Sequence, residues 1–210
     1  MRVIAGSSGG IRLFVPKTDV RPTMDRVKAA IFSSLGERVI GARVLDLFAG
    51  TGALGIEALS RGAASAMFVE IDRQAIAAIE RNLAQTGLSG RIRKQDVFDF
   101  LNHASTAESH DLIFADPPYD KSKLGDAFTK LLLRNDRLPP RLTSDGIFVL
   151  EKRPGERLPA TDFWEVTRRK TYGATETIFL QVVAGGGDSG RARAKKALRQ
   201  PGSTPPATTQ

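Results

Sequence analysis

Asp116, Pro117, Pro118 and Tyr119 follow one another directly after the apolar run 112–115, which predicts a buried strand. The two prolines fix their φ angles and remove two N–H donors, so this loop is rigid and presents carbonyl oxygens. A carboxylate and a carbonyl can accept both hydrogens of an exocyclic amine, and a tyrosine ring can stack on a flat base. The segment therefore predicts a site that positions a nucleobase amine for group transfer. The ordinary alternative is a proline-terminated strand with a capping aspartate and a surface tyrosine.

A second segment suited to ligand binding is the glycine turn after the predicted strand 42–48. Gly50, Gly52 and Gly55 have the spacing of a turn that lets a ligand approach the backbone where a helix begins. Glu70 stands 20 positions after Gly50, where a carboxylate can accept hydrogen bonds from ribose hydroxyls. This pattern fits both a nicotinamide dinucleotide and S-adenosylmethionine (SAM). The residues that we predict to bind the cofactor are Asp46, Phe48, Ala49, Gly50, Thr51, Gly52, Glu70 and Asp96.

Asp46 distinguishes between these two possible cofactors. It lies inside the predicted strand, just before the glycines, where a buried acid is costly unless a cation or a hydrogen-bond donor lies next to it. A carboxylate there would repel a pyrophosphate but attract the ammonium group of SAM. Asp46 therefore favours SAM, and the alternative is an aspartate that only caps its own loop.

Asp96 follows the third predicted strand, at a position from which a doubly wound sheet directs side chains toward a bound nucleoside. A carboxylate there can accept a hydrogen bond from the adenine amino group. The equally supported alternative is an N-cap for a short helix that begins at Val97. One side chain could do both.

Strand and helix signals alternate along most of the chain, which predicts an α/β fold with a parallel, doubly wound sheet. Two further extended runs joined by Tyr172 and Gly173 predict an antiparallel pair at the sheet edge. An N-terminal hairpin is predicted around residues 7–10. Strands are predicted at 42–48, 66–71, 91–95, 112–116, 146–151, 163–170 and 175–183, and helices after Thr23, at 52–60, from Asp72 to Gly87, at 98–102 and at 124–133.

The charge balance favours a polyanionic partner, because the 210 residues carry a formal net charge of +8. The chain has no cysteine, which excludes disulfides, thiolate metal sites and cysteine nucleophiles. His103 and His110 fall in no metal-like cluster, so we predict no metal. No apolar run is long enough for a signal peptide or a membrane span, and we expect a cytoplasmic protein with no membrane partner.

The composition predicts three parts: an N-terminal hairpin extension (1–20), a main domain (21–184) and a basic tail (185–210). The tail has almost no large apolar residues, so it cannot bury enough surface to offset the entropy of ordering. It is either a solubilising extension or an arm that raises affinity for a polyanion.

Taken together, these motifs resemble the RsmD family of 16S ribosomal RNA (guanine-N2)-methyltransferases over roughly residues 1–183. Besides the glycine turn, the acids and the Asp-Pro-Pro-Tyr segment, Arg21-Pro22-Thr23 with Asp25-Arg26-Val27 looks like the family's RPT-x-x-RV segment. The resemblance implies a Rossmann-like, seven-stranded SAM-dependent methyltransferase fold with an N-terminal β-hairpin. It also implies a guanine N2 in 16S rRNA as the target, assembled or partly assembled 30S particles as the partner, and a monomer.

By the same resemblance, Asp116, Pro117, Pro118 and Tyr119 are the catalytic residues. The residues expected to contact RNA are Arg2, Arg12, Arg21 and Arg26. The hairpin departs from the family, which often has basic residues where this chain has Gly9 and Ile11. We therefore raise the hypothesis that the basic tail compensates.

Three alternatives remain at this stage. An amino-methyltransferase for adenine N6 or cytosine N4 of DNA would use the same Asp-Pro-Pro-Tyr segment, although no separate target-recognition domain is visible. A nicotinamide oxidoreductase fits the glycine turn alone, and a non-catalytic RNA-binding assembly factor fits the charge. Protein glutamine methylation is disfavoured, because that class usually has Asn in place of Asp116.

Overall fold

The structure, a computed structural model, describes residues 1–16, 24–103, 105, 108–118 and 127–183. Two predicted site residues, Arg21 and Tyr119, lie outside the described residues. So do Thr23, the predicted cap of the first helix, and all of the predicted tail 185–210.

The centre of the fold is one seven-stranded sheet with the order β3-β2-β1-β4-β5-β7-β6. Its strands are β1 (Arg43–Leu47), β2 (Ser65–Glu70), β3 (Arg91–Lys94), β4 (His110–Ala115), β5 (Leu142–Lys152), β6 (Trp164–Tyr172) and β7 (Thr175–Val182). Strands β1 to β5 pair in parallel, whereas β7 pairs antiparallel with both β5 and β6. The predicted doubly wound sheet with an antiparallel edge pair is confirmed.

In the part of the chain that the structure describes, five α-helices cover both faces of the sheet: α1 (Met24–Leu35), α2 (Ala53–Ser60), α3 (Arg73–Thr86), α4 (Val97–His103) and α5 (Ala127–Arg134). Side chains of α1, α2 and α3 pack on one face, here called the α1 face, and those of α4 and α5 pack on the other. As predicted, Asp72 caps α3 through the N–H groups of Gln74 and Ala75, and Gly87 ends it with φ 68°.

Strand β5 begins earlier than the predicted 146. His110 pairs with Leu142, and a register shift follows before Leu112 pairs with Ile147. Between these two pairs β4 advances by two residues and β5 by five, so the irregularity lies in β5 itself, where local periodicity does not report it. For the predicted helix 124–133, the described part begins at Ala127.

The predicted N-terminal hairpin is present, with Arg2 and Arg12 as its single β-bridge. Its backbone closes through hydrogen bonds from Val3 N to Ile11 O (2.9 Å) and from Gly10 N to Val3 O (2.9 Å). It does not extend into two regular strands, because the N–H groups of Ile4 and Ala5 donate instead to a carboxylate of α2.

That carboxylate belongs to Glu57, which is completely buried. It accepts from Ile4 N at 2.7 Å and Ala5 N at 3.1 Å, and pairs with Lys28 Nζ of α1 at 3.1 Å and Arg61 Nε at 2.7 Å. Burial lowers the pKa of Lys28, while its partner Glu57 opposes that shift. One buried acid thus joins the hairpin to α1 and α2.

Within the described ranges, no helix is both long and apolar enough to cross a bilayer. The same residues include no group of three or more potential ligands placed to hold a metal ion.

Candidate active site

Two of the predicted site residues, Glu70 and Asp116, lie where parallel strands end. Leu47 of β1 is in register with Val69 of β2 and Ala115 of β4. The next residue on each neighbouring strand is Glu70 on one side and Asp116 on the other. Since the chain runs outward in opposite directions from β1 and β4, a crevice opens between them, which is where ligands bind in open α/β sheets.

The glycine turn lies at the bottom of this crevice. Gly50 and Gly52 have positive φ angles of 55° and 76°, which only glycine adopts without strain. Among the described residues, a Cβ at Gly50 would meet nothing closer than the Phe48 carbonyl at 4.0 Å, which leaves room for a ligand near this backbone. The predicted approach of a cofactor to this turn is therefore sterically possible.

Phe48 also has a positive φ angle, 54°, which is a strained conformation for a bulky residue. Its ring packs edge-on against Phe98 of α4 (6.0 Å) and Phe128 of α5 (5.8 Å). These aromatic contacts hold the turn in its strained conformation. In this structure the Phe48 ring therefore supports the turn from the α4 and α5 side.

Asp46 is buried, and its Oδ2 accepts a hydrogen bond from Gly55 N at 2.9 Å. Burial raises the pKa of Asp46 from 3.8 to about 8, and the nearby charges of Asp116 and Glu70 add to the shift, although the bond from Gly55 opposes it. The alternative that Asp46 only caps its own loop thus accounts for Oδ2, which accepts from Gly55 N. Among the described residues, Gly55 N is the only recorded donor to Asp46, and it uses Oδ2. The contact of Oδ1 with a ligand remains a prediction.

Gly55, which was part of the motif but not among the predicted binding residues, is required by packing. A Cβ there would lie 2.3 Å from Cε1 of Phe68 and 3.1 Å from Oδ2 of Asp46. The third glycine therefore lets α2 approach the sheet closely enough for its N–H to reach Asp46.

Glu70 binds three backbone N–H groups in this structure. Its Oε2 accepts from Gly50 at 2.8 Å, and its Oε1 accepts from Ile71 at 2.8 Å and from Asp72 at 2.9 Å. Glu70 thus holds the glycine turn and the start of α3 together. Its contact with a ribose remains a prediction, one that its place at the crevice allows.

Asp96 is the N-cap of α4, since its Oδ1 accepts from Phe98 N at 2.8 Å and Asp99 N at 3.1 Å. The capping alternative is thus observed. The contact with adenine stays a prediction, which would use the remaining Oδ2.

Asp116 is half-buried, Pro117 is buried and Pro118 is exposed. Asp116 lies two residues after Phe114, whose side chain packs on the α1 face, and its charge raises the pKa of the buried Asp46. The carboxylate is therefore on the crevice side of the loop and close to the glycine turn. Tyr119 lies outside the described residues, and its stacking role stays a prediction.

The arginines expected to contact RNA lie beside the hairpin. Arg2, Arg12 and Arg26 are exposed, and Arg2 and Arg12 form the β-bridge. The backbone N–H of Arg2 donates to Asp25, the neighbour of Arg26, at 3.1 Å. These three arginines therefore share one surface at the N-terminal end of α1, and their contact with RNA remains a prediction.

Asn82 of α3 is a residue that sequence reasoning missed. It is fully buried, and its Nδ2 donates to Thr51 O and Phe14 O, both at 3.0 Å, while its Oδ1 accepts from Phe14 N at 2.7 Å. It thereby fixes the glycine turn to the chain that leaves the hairpin. The available signal was a polar residue on the apolar face of a helix, beside Ile79 and Leu83.

Ile71, also missed, is 64% exposed directly after Glu70. A large apolar side chain at the lip of the crevice offers a surface on which a flat ring can pack.

The sequence profile described as Conserved hypothetical protein 95 matches residues 1–181. The putative rRNA methyltransferase YlbH of Bacillus subtilis is 41% identical over 180 residues, which cover 83% of this chain and 95% of that protein. Ribosomal RNA small subunit methyltransferase D of Escherichia coli K12 is 34% identical over 176 residues, or 82% and 85% of the two chains. The solved structure of putative methyltransferase yhhF from Escherichia coli superposes with a TM-score of 0.73 at 33% identity, covering 88% of this chain and 98% of that one.

A profile match over most of the chain, two relatives above 30% identity and a superposable structure agree on one family. These relatives are methyltransferases, and SAM is the cofactor of the family. The contact of the glycine turn with SAM remains a prediction. This chain belongs to the RsmD family of SAM-dependent rRNA methyltransferases.

Proposed function

We propose that the protein methylates the exocyclic N2 amine of a guanine in 16S rRNA. The observation that supports the proposal is that Asp116 directly follows β4 beside the crevice, close enough to Asp46 for its charge to raise the pKa of that acid. SAM, when bound, supplies the methyl group: a nitrogen–carbon bond forms as the sulfur–carbon bond breaks, and S-adenosylhomocysteine leaves.

The work of this chain is to position the amine. Asp116 and the Pro117 carbonyl accept its two N–H groups, which draws the nitrogen lone pair out of conjugation and aims it at the methyl group. No strong general base is needed, because the methylated amine becomes acidic once it carries positive charge. Asp116 is the acceptor next to that proton.

The residues of the crevice fit SAM group by group. Oδ1 of Asp46 would accept from the ammonium, Glu70 from the ribose hydroxyls and Oδ2 of Asp96 from the adenine amine. The open backbone over Gly50 leaves room for the ligand, as a ligand-binding glycine turn requires.

A guanine can reach this crevice only after leaving its stack, which costs a few kcal/mol and is easiest in a loop or bulge. Small-subunit rRNA offers such loops. We propose that the protein acts in the cytoplasm, as a monomer, on assembled or partly assembled 30S particles. We also propose that its chain consists of a hairpin extension (1–20), a methyltransferase domain (21–184) and a basic tail (185–210).

Replacing Glu70 by alanine is expected to weaken SAM binding by about 10–100-fold, the range for losing hydrogen bonds to a charged group. The loss of SAM affinity has two sources. The predicted ribose contact disappears, and the glycine turn loses the carboxylate that accepts from three backbone N–H groups. Calorimetric titration with SAM measures it, and the exposed Glu37→Ala is the control. A change confined to RNA affinity would show that the site is assigned wrongly.

SAM affinity is expected to rise with pH up to about 8, the pKa of buried Asp46. The ammonium of SAM pairs only with the ionised carboxylate of Asp46. Below this pKa the affinity for SAM should therefore increase by at most about tenfold per pH unit, and above it the affinity should level off. The sign for folding is opposite: because the pKa is raised above 3.8, ligand-free stability falls as the pH rises from about 4 to 8.

Calorimetry at pH 7 in buffers of different ionisation enthalpy tests this directly. Binding should release about one proton, because an acid with a pKa near 8 is mostly protonated at pH 7. Asp46→Asn should remove the proton release. Proton uptake, or release that survives the substitution, would contradict the role given to Asp46.

The experiment that tests the proposed function is incubation with labelled SAM and unmodified 30S particles or naked 16S rRNA, followed by mass spectrometry of the nucleosides. N2-methylguanine is the expected product. N6-methyladenine or N4-methylcytosine in a parallel DNA reaction would instead support the DNA alternative. Binding without any methyl transfer would support an assembly factor.

A further inference from the structure

The edge strand β6 carries a run of basic residues at the end that points toward the active site. β6 runs antiparallel to β7, which runs antiparallel to β5, so β6 ends at the same edge of the sheet as β4. Its acid, Glu165, lies near the start of the strand, whereas Arg168, Arg169 and Lys170 lie near its end. The positive charge is therefore concentrated on the crevice side.

Two of these residues share the face of the sheet on which Asp116 lies. Arg168 is in register with Phe179, whose side chain packs on the α1 face, and its guanidinium lies 6.0 Å from that ring. Lys170 follows two residues later and so lies on the same face. Arg169 lies on the other face, 3.8 Å from Glu176.

The strand register gives the distance between Asp116 and Lys170. Ala115 pairs with Leu150, so Asp116 comes at the level of Glu151; Glu151 pairs with Thr177, and Thr177 pairs with Lys170. Three interstrand steps of about 4.8 Å place Lys170 about 14 Å from Asp116. This is within reach of nucleotides that flank a base held at Asp116.

The charges on this edge are available to an external anion. Among the described residues, neither Arg168 nor Lys170 takes part in an ion pair. On the opposite edge strand, β3, Arg91 pairs with Glu108 at 2.8 Å and Lys94 with Glu80 at 3.1 Å. The two edges of one sheet therefore differ in degree among the described residues: two of the basic side chains of β3 are in ion pairs, whereas on β6 only Arg169 is.

We infer that Arg168 and Lys170 bind the phosphates of the RNA strand that flanks the target base. Phosphate contacts of this kind position a substrate without reading its sequence. The inference rests on the proposed RNA substrate. It supplies a contact surface besides the hairpin, whose turn lacks the basic residues that the family resemblance leads one to expect.

The test compares the double variant Arg168→Gln/Lys170→Gln with the wild-type full chain, using unmodified 16S rRNA transcript as the probe. Its affinity should fall about tenfold at moderate salt. The slope of log K against log salt should shrink by about 1.4, since each lost single-strand phosphate contact contributes about 0.7. SAM binding, measured in parallel, should be unchanged.

The matched control is Arg91→Gln/Arg93→Gln, which removes the same charge from the opposite edge strand and should leave the affinity and the slope at wild-type values. Equal losses in both doubles would reduce the effect to net charge and overturn the inference. So would an unchanged slope in the β6 double, because the charges would then only protect an exposed edge from aggregation.

If the β6 double variant aggregates, the single variant Lys170→Ser keeps Arg168 on the edge strand. Its slope of log K against log salt should shrink by half as much as that of the double variant. A wild-type slope in that single variant would also overturn the inference. The proposed function fails separately, if the wild-type protein neither binds nor methylates the transcript and 30S particles. If the wild type methylates RNA and the β6 variants bind it normally, only this inference is wrong.

Discussion

Replacing Asp116 by alanine should lower the turnover number for methyl transfer by about 10²–10³-fold, the usual loss on removing one preorganised hydrogen-bonding group from an active site. The carboxylate lies at the end of β4, on the crevice side and close to Asp46. Without it the amine loses its charged acceptor, and the nitrogen lone pair stays in conjugation with the base.

SAM affinity should change little in the same variant, because the residues that fit SAM belong to β1, β2 and the start of α4. A single-turnover assay on unmodified 30S particles gives the rate, and calorimetry gives the dissociation constant for SAM. Asp145→Ala, which removes an exposed carboxylate from β5, is the control and should behave as wild type. Normal turnover with weakened SAM binding in Asp116→Ala would assign this acid to the cofactor instead.

Replacing Glu57 by alanine should cost about 3–5 kcal/mol in the free energy of unfolding, the range for removing one partner of a buried ion pair. Lys28, only 3% exposed, would lose its counter-ion, and the N–H groups of Ile4 and Ala5 would lose their acceptor. Urea denaturation followed by circular dichroism measures the change. Limited proteolysis should also show that cleavage within residues 1–16 becomes faster.

Glu80→Ala provides the matched control, because Glu80 pairs with Lys94 at 3.1 Å but both side chains are more than half exposed. That exposed pair should be worth less than about 1 kcal/mol. If Glu57→Ala costs no more than this control, the buried acid does not hold the hairpin to α1 and α2. The difference in unfolding free energy between the two variants thus compares a buried lysine–glutamate pair with an exposed one.

The elements of this fold could be predicted from the sequence because their signals are local. Asp72 and Gly87 delimit α3 through hydrogen bonds and a positive φ angle that only nearby residues supply. The glycine turn is equally local, since Gly50 and Gly52 need their φ angles whatever packs around them. The position of Asp116 followed from the rule that parallel strands end at one edge of a sheet.

Other residues could not be assigned in this way. Asp96 was compatible with a cap and with an adenine contact, and only the backbone geometry of α4 shows the cap. Glu57 and Arg61 have the spacing of an ordinary surface ion pair on a helix. The burial of Glu57 depends on the hairpin, more than 50 residues earlier in the chain.

By itself, the sequence determined the order of strands and helices, the glycine turn, the acids at the strand ends and the family. The tertiary structure decided which of these acids meet, that burial raises the pKa of Asp46 to about 8, and that Arg168 and Lys170 of β6 lie on the same face of the sheet as Asp116. The physical reason is the range of the interactions. Backbone propensities act over a few residues, whereas burial, register and charge pairing depend on strands that are distant in the chain.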